Sequence, residues 1–126
     1  MKIEHIALYT KQLEETASFF ETYFEGKRNT LYHNDNTGFS SYFISFEDGT
    51  RLELMNLPEL SQADNSTAVG YAHIAFQVGS KEKVDSLTAR LEHDGYEVKS
   101  YPRVTGDGYY ESCVYDKEGN LIEITI

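Results

Sequence analysis

A chain of 126 residues and 14.4 kDa is long enough to bury one hydrophobic core and too short for two full-sized domains. Its formal net charge of −10 repels phosphate backbones and acidic membrane surfaces, and no apolar run approaches the length of a membrane span, so neither nucleic-acid binding nor membrane insertion is expected. Strand-like residues begin at Ile3, which leaves no room for a signal peptide, and Cys113 is the single cysteine, so a cytoplasmic protein without disulfides is expected.

Two short motifs occur twice along the chain, in the same order. Residues 4–8 (EHIAL) are echoed by residues 72–76 (AHIAF), and residues 46–54 are echoed by residues 115–124. The distance from His5 to Gly49 is 44 positions and that from His73 to Gly119 is 46, and in each half a Glu follows its Gly by four positions. This register predicts one domain, residues 1–126, built from two related modules at about 1–57 and 70–126 with a linker at 58–69.

The first module is predicted to contain a strand, a helix and three further strands. After the opening strand, apolar residues recur at helical spacing before Gly26, where the helix is expected to end. These apolar residues are Leu13, Ala17, Phe20 and Phe24. Strands are then expected near 28–33, 40–47 and 51–56, separated by polar turns.

The second module is predicted to repeat that order. A strand at 71–78 precedes a helix that Ser80 caps at its N-terminus and that Asp94-Gly95 ends, and strands follow near 97–102, 109–116 and 121–126. The chain is therefore assigned to the α+β class, as paired βαβββ modules whose mixed sheets carry helices on one side and curl into a cup on the other.

Four ionisable residues are predicted to share the face of the sheets that the helices leave open. Side chains alternate along a strand, so His73 lies opposite the apolar positions 72, 74, 76 and 78, and Glu123 lies opposite the isoleucines at 122, 124 and 126. By the same alternation, His5 and Glu53 lie opposite the apolar residues of their strands.

These four residues, His5, Glu53, His73 and Glu123, form a plausible set of metal ligands. Two imidazoles and two carboxylates suit one divalent ion such as Zn, Ni, Co, Mn or Fe, and they leave two octahedral positions for water or substrate. Taken singly, a strand histidine is more often a packing residue and a strand glutamate is more often solvated. Their equivalent positions in the two modules favour the metal site.

The motifs at 4–7, 51–54, 70–76, 106–110 and 116–123 resemble those of the glyoxalase, bleomycin-resistance and extradiol dioxygenase group, the vicinal oxygen chelate superfamily. The resemblance implies paired βαβββ modules, a homodimer, and metal ligands on the first and fourth strands of each module. The His, Glu, His, Glu set is most similar to glyoxalase I (lactoylglutathione lyase). Fosfomycin-modifying transferases and extradiol dioxygenases generally keep two His and one Glu, so Glu53 argues against them.

The resemblance also implies a reaction. A metal-dependent lyase or isomerase of this type acts on a small oxygen-chelating substrate, and Glu123 and Glu53 would serve as the catalytic bases that move a proton next to a carbonyl group. A thioester epimerase needs the same chemistry. A protein that sequesters a small molecule, as bleomycin-resistance members do, is the alternative from another class.

Three residues are candidates for substrate binding. Arg51 shares strand parity with Glu53 and could contact a substrate carboxylate, although a surface salt bridge is equally consistent with its position. Tyr109 and Tyr110 point to opposite faces of one strand, so one is expected to line the cup while the other packs, although either could equally belong to the core. The cup could be completed within one chain or between the two chains of a homodimer, and the sequence leaves both arrangements open.

Overall fold

The predicted α+β architecture is present in both halves of the chain. The computed structural model describes residues 3–61, 69–106 and 108–126, and the chain divides into two units, Met1–Gln62 and Ala63–Ile126. Most of the predicted linker at 58–69 lies outside the described residues, so the single-domain organisation stays a prediction. Within the described parts of the chain, no helix is both long and apolar enough to cross a membrane.

The described residues of the first unit form one helix and a five-stranded mixed sheet. The strands run in the order β1-β5-β4-β2, with β3 also paired to β4, and β1 lies parallel to β5. The elements are β1 (Ile6–Tyr9), α1 (Leu13–Phe24), β2 (Lys27–Arg28), β3 (Tyr32–His33), β4 (Ser40–Ser45) and β5 (Arg51–Asn56).

In the part of the second unit that the structure describes, one helix accompanies a four-stranded mixed sheet in the order β6-β9-β8-β7, with β6 parallel to β9. The elements are β6 (Ile74–Gln77), α2 (Lys81–His93), β7 (Val98–Val104), β8 (Tyr110–Tyr115) and β9 (Leu121–Thr125). The parallel pairing of the first strand with the last, and the antiparallel pairing of the last three, are the same in both units.

The predicted alternation along β5 and β9 is confirmed. Leu52, Leu54, Ile122 and Ile124 are at most 3% exposed, and the residues between them are half-buried. Each such buried aliphatic side chain contributes about 1.5–3 kcal/mol to folding. The helices supply the facing side chains of each core, among them Ala17, Phe20 and Phe24 of α1 and Val84 and Leu91 of α2.

The opening strands are shorter than the sequence predicted. β1 begins at Ile6 rather than Ile3, and β6 begins at Ile74 rather than Tyr71. The pairing of Ile6 with Leu52 and of Ile74 with Ile122 starts near the first residue of the partner strand, so the preceding residues have no ladder to join. As a result, His5 and His73 lie just before their strands and not within them.

The predicted strand at 28–33 is interrupted. Arg28 pairs with Ile44 and Tyr32 pairs with Ser41, so four steps along one strand match three along the other, which is the slip of a β-bulge. Asn29 accounts for the slip, because its side-chain Oδ1 accepts the N–H of Phe43 at 2.8 Å in place of a backbone carbonyl.

The helix ends differ in how well the sequence predicted them. Ser80 caps α2 as expected, accepting the N–H of Lys83 on its Oγ at 3.3 Å. In α1, however, Glu25 and not Gly26 adopts the left-handed conformation, with φ 57°. Position 26 has no room for a side chain, because a Cβ there would lie 2.4 Å from Cγ2 of Ile44.

Candidate metal centre

The structure brings His5 and Glu53 together in the first unit. His5 immediately precedes β1, and Glu53 stands in the middle of β5 opposite Ala7. Nε2 of His5 lies 3.6 Å from Oε2 of Glu53, and the two side chains are 36% and 18% exposed. Both polar atoms therefore face each other at a partly open surface of the sheet.

The second unit contains the same arrangement. His73 immediately precedes β6, and Glu123 stands in the middle of β9 opposite Ala75. Nε2 of His73 lies 3.5 Å from Oε2 of Glu123, and the side chains are 42% and 18% exposed. The two modules thus present the same pair of side chains at the same register.

The spacing within each pair matches metal ligation better than a direct hydrogen bond. Distances of 3.6 and 3.5 Å exceed those of a good N–H···O bond. Two ligand atoms that share an ion at about 2.1 Å lie roughly 3.0–3.4 Å apart when the angle at the ion is octahedral or tetrahedral. The donor set of imidazole nitrogen and carboxylate oxygen therefore fits a divalent ion of the zinc, manganese or nickel type with only small side-chain movement.

The surroundings of His5 contain an aromatic ring and a second ion pair. The edge of the His5 ring meets Phe43 at 5.2 Å between centroids, and the Arg51 guanidinium lies over the face of Phe43 at 4.4 Å. Glu4 binds both Nδ1 of His5 and the guanidinium of Arg51. These hydrogen bonds, first from His5 and then from Arg51, hold the pKa of Glu4 below its usual range.

The surroundings of Glu123 differ, and the sequence analysis missed them. Cys113 stands directly opposite Glu123 on β8, and ligand atoms of Glu111, Cys113 and Glu123 all lie within 4.8 Å of one another. Burial, followed by the charges of Glu123 and Glu111, raises the pKa of the Cys113 thiol. The alternation that placed Glu123 would also have found Glu111 and Cys113, had it been continued along β8 beyond Tyr110.

The predicted substrate-binding residues lie in different environments. Arg51 is engaged by Glu4 and Phe43, as the salt-bridge alternative proposed. Tyr109 is 56% exposed. Tyr110 lies on the helix side of β8, where its Oη donates to Oδ1 of Asp85 at 2.6 Å, and this bond raises the pKa of Tyr110. Of the two tyrosines, Tyr109 therefore remains the candidate for contacting a ligand.

Two solved structures have the same fold as this chain. The chain superposes on a glyoxalase I variant from Zea mays with a TM-score of 0.82 and 18% identity, covering 98% of this chain and 44% of that one. It superposes on the genomically encoded fosfomycin resistance protein FosX from Listeria monocytogenes, solved with Mn(II) and sulfate, with a TM-score of 0.72 and 25% identity, covering 98% and 90%.

Two curated relatives match at the sequence level. The uncharacterized protein YqjT of Bacillus subtilis (strain 168) is 28% identical over 97% of this chain and 96% of its own length. The fosfomycin resistance protein FosX of Listeria innocua serovar 6a is 28% identical over 97% of this chain and 86% of its own length.

The doubled βαβββ order and the motifs around the two His–Glu pairs agree with one family. A family model described as the Glyoxalase/Bleomycin resistance protein/Dioxygenase superfamily matches residues 2–124, and the chain belongs to that superfamily.

Proposed function

We propose that this protein is a metal-dependent lyase or isomerase that acts on a small oxygen-chelating substrate and moves a proton next to its carbonyl group. The observation that carries the proposal is the duplication of the His–Glu pair, at equivalent registers and with separations of 3.6 and 3.5 Å. A packing or surface role would not require both halves of the chain to keep the same two polar side chains at the same spacing.

We infer that His5, Glu53, His73 and Glu123 together hold one divalent ion. Each pair supplies two ligands, fewer than the three or four that protein sites for such ions use, so both pairs are expected to serve one site. The pairs would come from one chain or from the two chains of a homodimer. The manganese in the related FosX structure supports a divalent metal in this superfamily, and Zn, Ni, Co and Fe suit the same donors.

The catalytic roles follow from the chemistry of the donor set. A bound ion would supply Lewis-acid stabilisation of the negative charge that develops on substrate oxygen. The carboxylate of Glu123, and that of Glu53 in the same way, would leave the ion to take and return the proton. Each side chain is 18% exposed and stands on a strand that is paired on both sides, which holds it in a fixed place on its sheet. Tyr109 is the exposed aromatic that would contact the substrate.

Fosfomycin resistance is the second candidate function, and one observation favours it. The relative from Listeria innocua is a fosfomycin resistance protein that aligns with 97% of this chain. This similarity weighs against the argument that Glu53 excludes such an activity. Two alternatives remain, a protein that sequesters a small compound and a thioester epimerase. The cytoplasmic location stays a prediction from the single cysteine.

The first experiment is to measure metal content in protein purified without chelators. Wild type should carry close to one divalent ion per site, and His5→Ala and Glu123→Ala should both lose it. His33→Ala is the matched control, because His33 is exposed and contacts Ser40 and Asp35, so its loss should leave the metal content unchanged. Wild-type protein that binds no ion even after reconstitution would overturn the proposal and favour the sequestering protein.

Activity of the loaded protein separates the enzymatic candidates. Hemithioacetals, chiral thioesters and fosfomycin should be offered to wild type and to Glu123→Gln, which keeps the size of the side chain and removes its basicity. Isomerisation of a hemithioacetal that is lost in Glu123→Gln supports the lyase. Consumption of fosfomycin, together with a raised inhibitory concentration in cells that express the protein, supports the second candidate instead.

A further inference from the structure

We propose that Glu4 and Arg51 are positioning residues that hold the His5 imidazole so that its Nε2 faces Glu53 as a metal ligand. The expected effect on metal binding rests on the proposed function, whereas the orientation of His5 is a property of the metal-free protein. It also gives Arg51 a role other than contact with a substrate carboxylate.

The two nitrogens of His5 have separate partners. Nδ1 bonds to Oε2 of Glu4, and Nε2 lies 3.6 Å from Oε2 of Glu53. Because a carboxylate only accepts hydrogen bonds, Glu4 requires the proton of a neutral imidazole to be on Nδ1. The lone pair is then on Nε2, directed to the side where Glu53 would share an ion. A carboxylate behind a ligating histidine fixes the tautomer and the ring orientation in this way.

Arg51 holds Glu4 in place. The second carboxylate oxygen of Glu4 accepts from Nη2 of Arg51, which lies 47 positions further along the chain. The guanidinium is itself fixed over the ring of Phe43 at 4.4 Å, and the edge of the His5 ring meets that same Phe43. Phe43, Arg51, Glu4 and His5 therefore form a closed cluster in which each side chain contacts two others.

The second unit has no equivalent of this cluster among its described residues. The positions that correspond to Glu4, Phe43 and Arg51 are occupied by Ala72, Cys113 and Leu121. None of them offers a carboxylate to Nδ1 of His73. The two histidines should therefore differ in how firmly their tautomers are set, although both face a glutamate.

Nitrogen-15 NMR of the imidazoles in metal-free protein tests the inference directly, with His73 as an internal reference. In wild type, His5 should be mainly the Nδ1–H tautomer. Glu4→Ala and Arg51→Ala should shift His5 toward the Nε2–H form that free imidazole side chains favour, and His73 should not change. Glu4→Gln keeps an acceptor oxygen and should restore the wild-type tautomer. An unchanged His5 spectrum in Glu4→Ala would overturn the inference.

Metal titration tests the consequence. Glu4→Ala should weaken binding of Zn(II) or Mn(II) by about 10- to 100-fold, the usual effect of removing a carboxylate behind a ligating histidine, with partial recovery in Glu4→Gln. Glu47→Ala removes another exposed carboxylate, outside the cluster, and is the matched control. Equal affinity in Glu4→Ala and Glu47→Ala would contradict the positioning role. If wild type binds no metal, the proposed function fails, and the NMR result alone decides whether Glu4 orients His5.

Discussion

Cys113 and Glu123 face each other across the antiparallel pair of β8 and β9, with the thiol buried and the carboxylate partly exposed. The corresponding position opposite Glu53 in the first unit is Phe43. A neutral thiol and an aromatic ring thus stand in the same place beside two equivalent carboxylates. This difference gives the two modules unlike chemistry around otherwise matching His–Glu pairs.

The Cys113 thiol should react slowly in the folded protein. Burial and the neighbouring carboxylates raise its pKa, and each unit of pKa lowers the thiolate fraction about tenfold below the pKa. Alkylation by iodoacetamide at neutral pH should therefore be slower in the folded protein than in guanidinium-unfolded protein, as followed by mass spectrometry. Equal rates in the two states would show that the thiol is neither buried nor surrounded by negative charge.

Gly26→Ala should destabilise the first unit. Its Cβ would meet Cγ2 of Ile44 at 2.4 Å and the carbonyl of Phe20 at 3.2 Å, and such overpacking costs about 1–3 kcal/mol. Urea unfolding would measure the loss. Gly106→Ala is the control, because no atom of the described residues beyond its chain neighbours lies within 4 Å of its Cβ position, so that variant should be neutral or slightly stabilised. Similar stabilities for the two variants would contradict the close contact with Ile44.

Asp116 should make the stability of the protein depend on pH in an identifiable direction. Asp116 is 8% exposed, and its carboxylate accepts hydrogen bonds from the N–H groups of Glu118 and Asn120, yet burial raises its pKa above 3.8. The folded state then binds the proton more tightly than the unfolded state, so the stabilising contribution is greatest at low pH and declines as pH rises from 3.8 through the raised value.

The comparison of wild type with Asp116→Asn measures this effect. The stability of wild type relative to the variant should fall as pH increases over that interval, because only wild type acquires a buried charge near Glu118. Urea unfolding of both proteins at several pH values gives the difference directly. A relative stability that rises with pH would mean that hydrogen bonding outweighs burial at this carboxylate.

Tyr110 and Tyr109 should respond differently to mutation. Tyr110→Phe removes the bond to Asp85 on the helix side of β8 and should cost about 1 kcal/mol or less, without a change in metal binding or turnover. Tyr109→Ala should leave unfolding unchanged, because the side chain is 56% exposed, and should raise KM for whichever substrate the loaded protein accepts. A raised KM in Tyr110→Phe alone would reverse the assignment.

Patterns in short stretches of the sequence predicted those structural features that depend on neighbouring residues. The alternation around Glu53 and Glu123 and the Ser80 cap depend on residues close together in sequence, and the doubled motif was recognisable because each copy is itself a short run of neighbouring residues. The bond between Glu4 and Arg51 joins residues 47 positions apart, and the contact of Gly26 with Ile44 depends on how α1 lies on β4. The slip at Asn29 could not be predicted either, because an amide side chain there replaces a backbone group of the ladder.

The histidines and the glutamates are held by strands that differ in the number of neighbouring strands with which they pair. Among the described residues of each sheet, β1 and β6 each pair with a single strand, and β5 and β9 each pair with two. The imidazoles precede the outermost strands, which fray first, while the carboxylates stand on strands fixed from both sides. An ion bound by the His and the Glu of one unit would link the edge strand of that sheet to the strand beside it, at the point where their hydrogen-bond ladder begins. Metal binding would thereby slow amide hydrogen exchange along β1 and β6, because an occupied site would stabilise these edge strands against local unfolding.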